Sequence, residues 1–182
     1  FLLEVFCMLI NKDDLKKEEI NSRVHKVRAV IQDNKGKIYV TNMDNSYNLP
    51  GGRVEAKEEA KDAFIRELAD EIGIQVLDSE IQYIGDFTFW HRDFPGDKRV
   101  VNRENHVDLF WVMQAKEVLE ERVRLTNYEK HYHFHLMKCS IKEIDELLQS
   151  ASPNDYKKFT DVELGTLLEA FLKYKGEDNY VR

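Results

Sequence analysis

The sequence predicts an α+β fold in which a mixed β-sheet carries helices on both faces. Three observations lead to it. Stretches rich in β-branched and aromatic residues come in pairs, 26–31 with 37–43 and 81–90 with 106–115, as strands joined by turns do. Between the pairs, Ala60, Ala63, Phe64, Leu68 and Ile72 recur at the spacing of one helix face. In the last third, Leu164, Leu167, Leu168, Phe171 and Leu172 repeat at i, i+3, i+4, i+7 and i+8, which lays a helix face on a core. A chain of 182 residues is the length of one domain with a full core. We read 1–182 as a single domain, with 1–23 as an N-terminal extension and 140–182 as helices packed on the same body.

The elements follow in order. Residues 1–10, FLLEVFCMLI, are too short to span a bilayer, lack a basic leader, and are read as a strand. Residues 11–23 are a charged linker or solvated helix. The 26–31 and 37–43 pair, with Asn34-Lys35-Gly36 between, is read as a β-hairpin. Residues 47–49 are a short strand ending at Pro50. After the 60–72 helix, Gly73 supplies a stop. Residues 81–90 form a long strand, and 91–104 a loop broken by Pro95-Gly96 and rich in Arg92, Lys98, Arg99 and Arg103. A loop of that length is more often functional than idle, and the cations would suit substrate phosphates. Residues 106–115 return as a strand, and 116–130 are helix or loop. Residues 132–137 alternate His131, His133 and His135 with Tyr132, Phe134 and Leu136. A half-exposed strand is the plainer reading; three imidazoles on a transition metal is the sharper one. Ser140 to Glu143 and Thr160 to Glu163 are both capping-box patterns ahead of apolar helical runs, joined by a connector around Pro153. The last helix is read as purely structural.

The formal net charge of −7 argues against general nucleic-acid binding, which needs a basic footprint. No nucleic-acid partner and no membrane partner is therefore expected. Cys7 and Cys139 are far apart and outside any motif; free thiols in a reducing cytoplasm are the expected state.

The chemistry concentrates in 51–74. Glu67, Asp70 and Glu71 are spaced i, i+3, i+4, so a helix puts them on one side. At roughly 100° per residue, Glu67 and Glu71 fall inside the arc of Ala63 and Phe64, with Asp70 at its edge. Acids turned toward a packed face must be paired or bind metal. A hard divalent cation held by carboxylate oxygens is the economical explanation.

Gly52, Glu58 and the run Arg66-Glu67-Leu68-Ala69-Asp70-Glu71-Ile72-Gly73-Ile74 resemble the box of the Nudix, or MutT-like, hydrolases. Asp70 departs from the pattern, since the family usually has Glu there; the shorter arm leaves open whether it meets metal directly or through water. The resemblance implies an α/β/α sandwich. It also implies metal-dependent hydrolysis of a pyrophosphate bond in a nucleoside diphosphate linked to another group X. The expected cofactor is Mg²⁺ or Mn²⁺, the expected partner a small nucleotide, and a homodimer is among the expected assemblies. By matching to the family, Glu67 and Glu71 would be the main metal ligands, with Asp70 and the Gly51 carbonyl beside them. Arg66 would pair with Glu58 and orient Glu67, and Arg53 would touch substrate phosphate. The general base is left open among Glu67, Glu71 and a later loop acid, for which Glu129 is the expected residue and Glu104 its rival. Tyr47, Phe87, Phe89, Trp90 and Trp111 are either base-stacking or core aromatics, and core is the commoner case. The alternatives in other classes are a non-catalytic sensor of nucleotides or sugar nucleotides, and a structural domain whose acids pair with lysines.

Overall fold

The computed structural model describes residues 5–118, 120–150 and 155–177. β1 (Phe6–Ile10), β5 (Ile81–Pro95), β6 (Val100–Val112) and β2 (Ser22–Val30) form one sheet in that order. β4 (Ser46–Asn48), β3 (Ile38–Met43) and β7 (His135–Cys139) form a second. The first sheet is mixed: β1 runs parallel to β5 and β2 parallel to β6, while β5 and β6 are antiparallel. The second is antiparallel throughout. The helices are α1 (Ala60–Ile72), α2 (Asn127–His131), α3 (Ile141–Gln149) and α4 (Lys157–Tyr174). No helix among the described residues is long and apolar enough to cross a membrane.

Strand alternation sends β2 to two cores. Val27 and Ala29 meet Phe64, Leu68 and Ile72 of α1 together with Phe110 and Val112 of β6. Val30 lies in the other core, with Phe87, Phe89, Val107, Leu109 and the α4 residues Leu164, Leu167, Leu168 and Phe171. The mixed sheet therefore has a helix on each face, as the periodicities predict. Each fully buried large apolar side chain contributes about 1.5–3 kcal/mol, so both helices are fixed by packing rather than by propensity. At the end of α1, Gly73 takes φ 67°.

Several local expectations are corrected. The hairpin expected over 26–43 closes as a turn, with Gly36 N–H donating to Asp33 O at 3.0 Å and a bridge between Gln32 and Ile38. Its arms then part into different sheets. The reason lies along β2, whose edge is already taken by residues 50–54: Ala29 N–H donates to Pro50 O (2.8 Å), Val27 N–H to Gly52 O (2.9 Å), and Val54 N–H to His25 O (3.0 Å). The long loop expected over 91–104 is mostly strand. Phe94 pairs with Val101 and both pack on Phe159, so the ladder continues and only the tip remains, closed by Gly96 N–H on Arg99 O at 3.1 Å. The three histidines do not line one strand face. His131 ends α2 against Tyr132, His133 sits at φ 51° with Nδ1 2.8 Å from Asp44 Oδ1, and His135 Nε2 lies 3.2 Å from Asn42 Nδ2. Ser140 caps α3 as predicted. Thr160 caps nothing: α4 begins earlier, Thr160 Oγ1 donates to Lys157 O at 3.1 Å, and Glu163 turns inward. Of the connector, residues 151–154 lie outside the described residues, as do residues 1–4 of the apolar N-terminal run.

Candidate active site

The segment leaving β4 presses its backbone onto α1. At Gly51, φ is 138° and a Cβ would lie 2.1 Å from Val27 O; at Gly52 a Cβ would lie 2.3 Å from Glu67 Cδ. Any side chain at either position would drive this segment off β2 or off the acids. The close approach lets Gly51 N–H donate to Glu71 Oε2 at 2.7 Å.

Glu71 is buried, with 8% of its surface exposed. Burial pushes its carboxyl up to about 8, and the charges of Glu129 and Glu67 add to the rise against the pull of Gly51 N–H and Arg28. Burial also raises Glu67; Arg66 opposes this and Glu129 adds to it. Glu129 thus makes both α1 acids harder to ionise, and Glu67 does the same to Glu71. Glu129 comes from α2, where its N–H is capped by Thr126 Oγ1 (3.2 Å) and its Oε2 accepts Thr126 N–H (2.5 Å).

Arg66 holds Glu67 in place. Its Nε and Nη2 donate to the two oxygens of Glu58 at 2.8 and 2.9 Å, and its Nη1 donates to Glu67 Oε1 at 2.7 Å. Nη2 also reaches Arg53 O at 3.1 Å. Glu58 is drawn down to about 2 by Arg66 and by Glu55 N–H. This is the pairing expected from the sequence, and its forked geometry fixes the guanidinium plane.

A basic wall stands opposite. Lys26 and Arg28 alternate with Val27 and Ala29, so they enter the α4 side of β2. Arg28 Nη1 donates to Gly51 O (3.0 Å) and Leu49 O (3.2 Å), and Arg28 Nε to Glu163 Oε1 (2.8 Å). Asn48 Nδ2 donates to the same Glu163 oxygen at 3.0 Å, and Lys26 Nζ lies 3.8 Å from Glu163 Oε2. Burial works against the Glu163 charge, but Lys26 and Arg28 hold its carboxyl at about 2. Lys26 is lowered to about 8 by burial, with Arg28, Arg103 and Arg53 adding to the fall and Glu163 opposing it. The wall is thus more positive than one acid can neutralise. Beside it, Arg53, Asp97, Tyr128 and Tyr156 share one electrostatic neighbourhood.

Not every expected residue joins this site. Asp70 is exposed at the edge of the acid face, and its carbonyl accepts Arg124 N–H at 2.7 Å. Arg92 is turned to Glu19 (3.2 Å), Arg99 is exposed at the β5–β6 tip, and Arg103 is 7% exposed, 4.4 Å over the Phe94 ring. Glu104 accepts Trp90 Nε1–H at 2.9 Å and faces Arg23, well along β2 from Val27. Tyr47, Phe87 and Phe89 are core, and Trp111 packs on Phe171. The exposed aromatics near the acids are Tyr128 and Tyr132, with ring centroids 4.5 Å apart. Sequence reasoning passed over Lys26, Arg28 and Glu163. Their signal was two cations alternating with apolar residues in a strand covered on both faces.

The donor set suits a hard cation: Glu67 and the Gly51-bonded Glu71 lie within electrostatic reach of each other and of Glu129, with no sulfur or imidazole among them. Comparison with known proteins agrees with this geometry. The NUDIX domain family model matches residues 23–161. An RNA pyrophosphohydrolase of Campylobacter jejuni subsp. doylei is 28% identical over 122 residues, 65% of this chain and 73% of that protein. One from C. jejuni subsp. jejuni, serotype O:23/36, is 26% identical over 122 residues, with the same two coverages. Among solved structures, a NUDIX hydrolase from Nitrosomonas europaea shares the fold at a TM-score of 0.54 and 16% identity, covering 88% of this chain and 98% of that one. A MutT protein from Methanosarcina mazei does so at 0.52 and 16%, with the same coverages. With the matched segment running from β2 through the glycine turn and the α1 acids into α4, the chain belongs to the Nudix family.

Proposed function

We propose that this Nudix protein is a divalent-metal-dependent pyrophosphohydrolase acting on a nucleoside diphosphate linked to another group. The observation that carries the reading is the packing of Glu67 and Glu71 against the Gly51-Gly52 turn, where burial and the charge of Glu129 raise both carboxyls and Glu67 adds to the rise at Glu71. Carboxylates crowded this way are stabilised by a cation, and Mg²⁺ or Mn²⁺ fits their all-oxygen chemistry. Glu67, Glu71 and the Gly51 carbonyl would hold it, with Asp70 reaching it through water. When bound, it supplies neutralisation of phosphate charge and acidification of water.

The chain's own groups do the rest. Arg66 fixes the Glu67 carboxylate through the fork on Glu58. Gly51 N–H holds Glu71 Oε2. Glu129, whose Oε2 is occupied by Thr126 N–H, offers Oε1 to take the proton of the attacking water. Lys26, Arg28 and Arg53 face the substrate phosphates and answer the overall negative charge of the chain with a local positive one. Tyr128 and Tyr132 offer faces on which a base stacks. Cys7 and Cys139 are free thiols, which suits a reducing cytoplasm.

A second reading concerns the leaving group. Similarity to RNA pyrophosphohydrolases supports an RNA carrying a pyrophosphate bond as substrate. A panel of ADP-ribose, dinucleoside polyphosphates, oxidised nucleoside triphosphates and 5′-triphosphorylated RNA, each with and without Mg²⁺, tests both. Metal-dependent release of phosphate or nucleotide from one class is expected. Binding without turnover of any of them would instead make the protein a sensor.

A further inference from the structure

We propose that His25, His106 and Asp108 form a second metal site, for a transition-metal ion of the Zn²⁺ class, separate from the acids of α1. His25 and His106 are register partners in the parallel β2–β6 ladder, and Asp108 lies two residues beyond His106 on the same face. Their three candidate ligand atoms lie within 4.8 Å of one another, the one such group found among the described residues. Asp108 Oδ2 is 2.6 Å from His25 Nε2 and 4.0 Å from His106 Nε2. The rings stand 4.8 Å apart, tilted by 60°. Zinc bonds of about 2.0–2.2 Å in a tetrahedron set ligand atoms roughly 3.3 Å apart. The observed separations, from 2.6 Å to within 4.8 Å, bracket that spacing.

A lone histidine–aspartate pair needs one imidazole; here two direct Nε2 at one oxygen. On Asp108 and His106 the second polar atom is already committed as a ligand-orienting partner would have it. Tyr83 Oη donates to Asp108 Oδ1 at 2.9 Å, which leaves Oδ2 for the ion. His106 Nδ1 lies 3.3 Å from Thr88 Oγ1, which turns Nε2 inward. Such outer partners set the tautomer and orientation of metal-binding histidines. The side chains of His25 and His106 are 41% and 38% exposed against 11% for Asp108, so an ion has a way in and an open position for water. Two imidazoles with one carboxylate favour Zn²⁺ over Mg²⁺, the reverse of the preference at Glu67 and Glu71. Since His25 O also accepts Val54 N–H, an ion here clamps the strand pair and the segment that carries the glycine turn.

Zn²⁺ alone is the probe, added to chelator-stripped protein and followed by calorimetry, by X-ray absorption and by thermal melting. One equivalent bound to nitrogen and oxygen ligands is expected in the wild type. The same is expected in a Glu67→Gln/Glu71→Gln double variant and in a His133→Ala/His135→Ala double variant. Affinity should fall by at least about tenfold in His25→Ala and His106→Gln, and by about tenfold in Tyr83→Phe, the size expected for loss of an outer-shell partner. Zn²⁺ should raise Tm in the wild type and fail to do so in His106→Gln, whose metal-free Tm and circular dichroism report whether it still folds. Absence of Zn²⁺ uptake by the wild type overturns the proposal. So does uptake that survives His106→Gln, or that disappears with Glu67 and Glu71.

Discussion

Glu71 meets two opposed demands. Its position in the arc of Ala63 and Phe64 buries it, and burial favours the neutral acid, yet Gly51 N–H and Arg28 favour the ion. Glu71→Gln resolves the conflict, because an amide oxygen still accepts from Gly51 N–H while the charge is gone. We expect a loss in kcat of at least on the order of a hundredfold, the scale of removing one transition-state stabiliser, with little change in folding. Near wild-type turnover would remove Glu71 from the metal site. Glu129→Gln should lower kcat without weakening substrate binding, since a base acts on the chemical step. Glu104→Gln, on the Trp90 and Arg23 side, should be silent, and the reverse pattern would exchange their roles. Much of this was legible in the sequence. The i, i+3, i+4 acids, the Arg66–Glu58 spacing and the glycine pair all depend on local geometry, which the chain encodes directly. That Asp70 lies exposed follows from the same wheel, which placed it at the edge of the arc.

At the scale of elements, β2 and α4 meet through Glu163. Periodicity reads α4 as a helix with one apolar face, and it is that, but periodicity does not say what an inward acid touches. The Thr160 to Glu163 pattern resembles a cap because the same residue types serve both purposes; the helix starts at Lys157, so the cap reading fails and Glu163 is free to meet Arg28 and Lys26. The basic tip of 91–104 was misread for a related reason. Charges cluster in sequence, while strand alternation and the Phe94–Val101 pair send Arg92 and Arg103 to different neighbours. From this contact, Glu163→Gln should leave Arg28 and Lys26 buried without their counter-ion. Breaking a buried pair from one side costs about 3–5 kcal/mol, so a clear fall in stability is expected. Arg28, freed from its fork, should also hold Gly51 and the phosphates less well, which raises KM. Arg28→Lys should raise KM too, because an ammonium cannot bridge Glu163 and Gly51 O as a guanidinium does. Arg92→Ala should leave KM unchanged. Wild-type stability and KM in Glu163→Gln would reduce α4 to packing alone.

At the scale of the whole molecule, the acids and the cations come from opposite faces of one sheet and meet at the β2 edge, where residues 50–54 close the ladder. That arrangement gives stability a pH dependence with a definite sign. Glu71 has its carboxyl raised from 4.5 to about 8 in the folded protein. The stability this contributes is complete below the unfolded value and is lost as pH rises through the folded one. Other groups act elsewhere. Glu163, lowered from 4.5 to about 2, stabilises above 4.5 and loses that contribution in acid. His91, lowered from 6.5 to about 4 by burial, makes stability rise with pH up to 6.5. Lys26, lowered from 10.5 to about 8, makes it rise again above 8. Between pH 6.5 and 8 the falling contribution of Glu71 stands clear of all three. Metal-free protein should lose about 2 kcal/mol of unfolding free energy across that window, at 1.36 kcal/mol per unit for one proton. Urea melts at half-unit steps measure it. Saturating Mg²⁺ should flatten the slope, because a bound cation favours the ionised carboxylate at every pH in the window. Glu71→Gln should flatten it without metal and be the more stable protein at pH 8. A slope of the same size in Glu71→Gln would show that the proton belongs to another group and that the buried acid of α1 is not what opposes folding in alkaline solution.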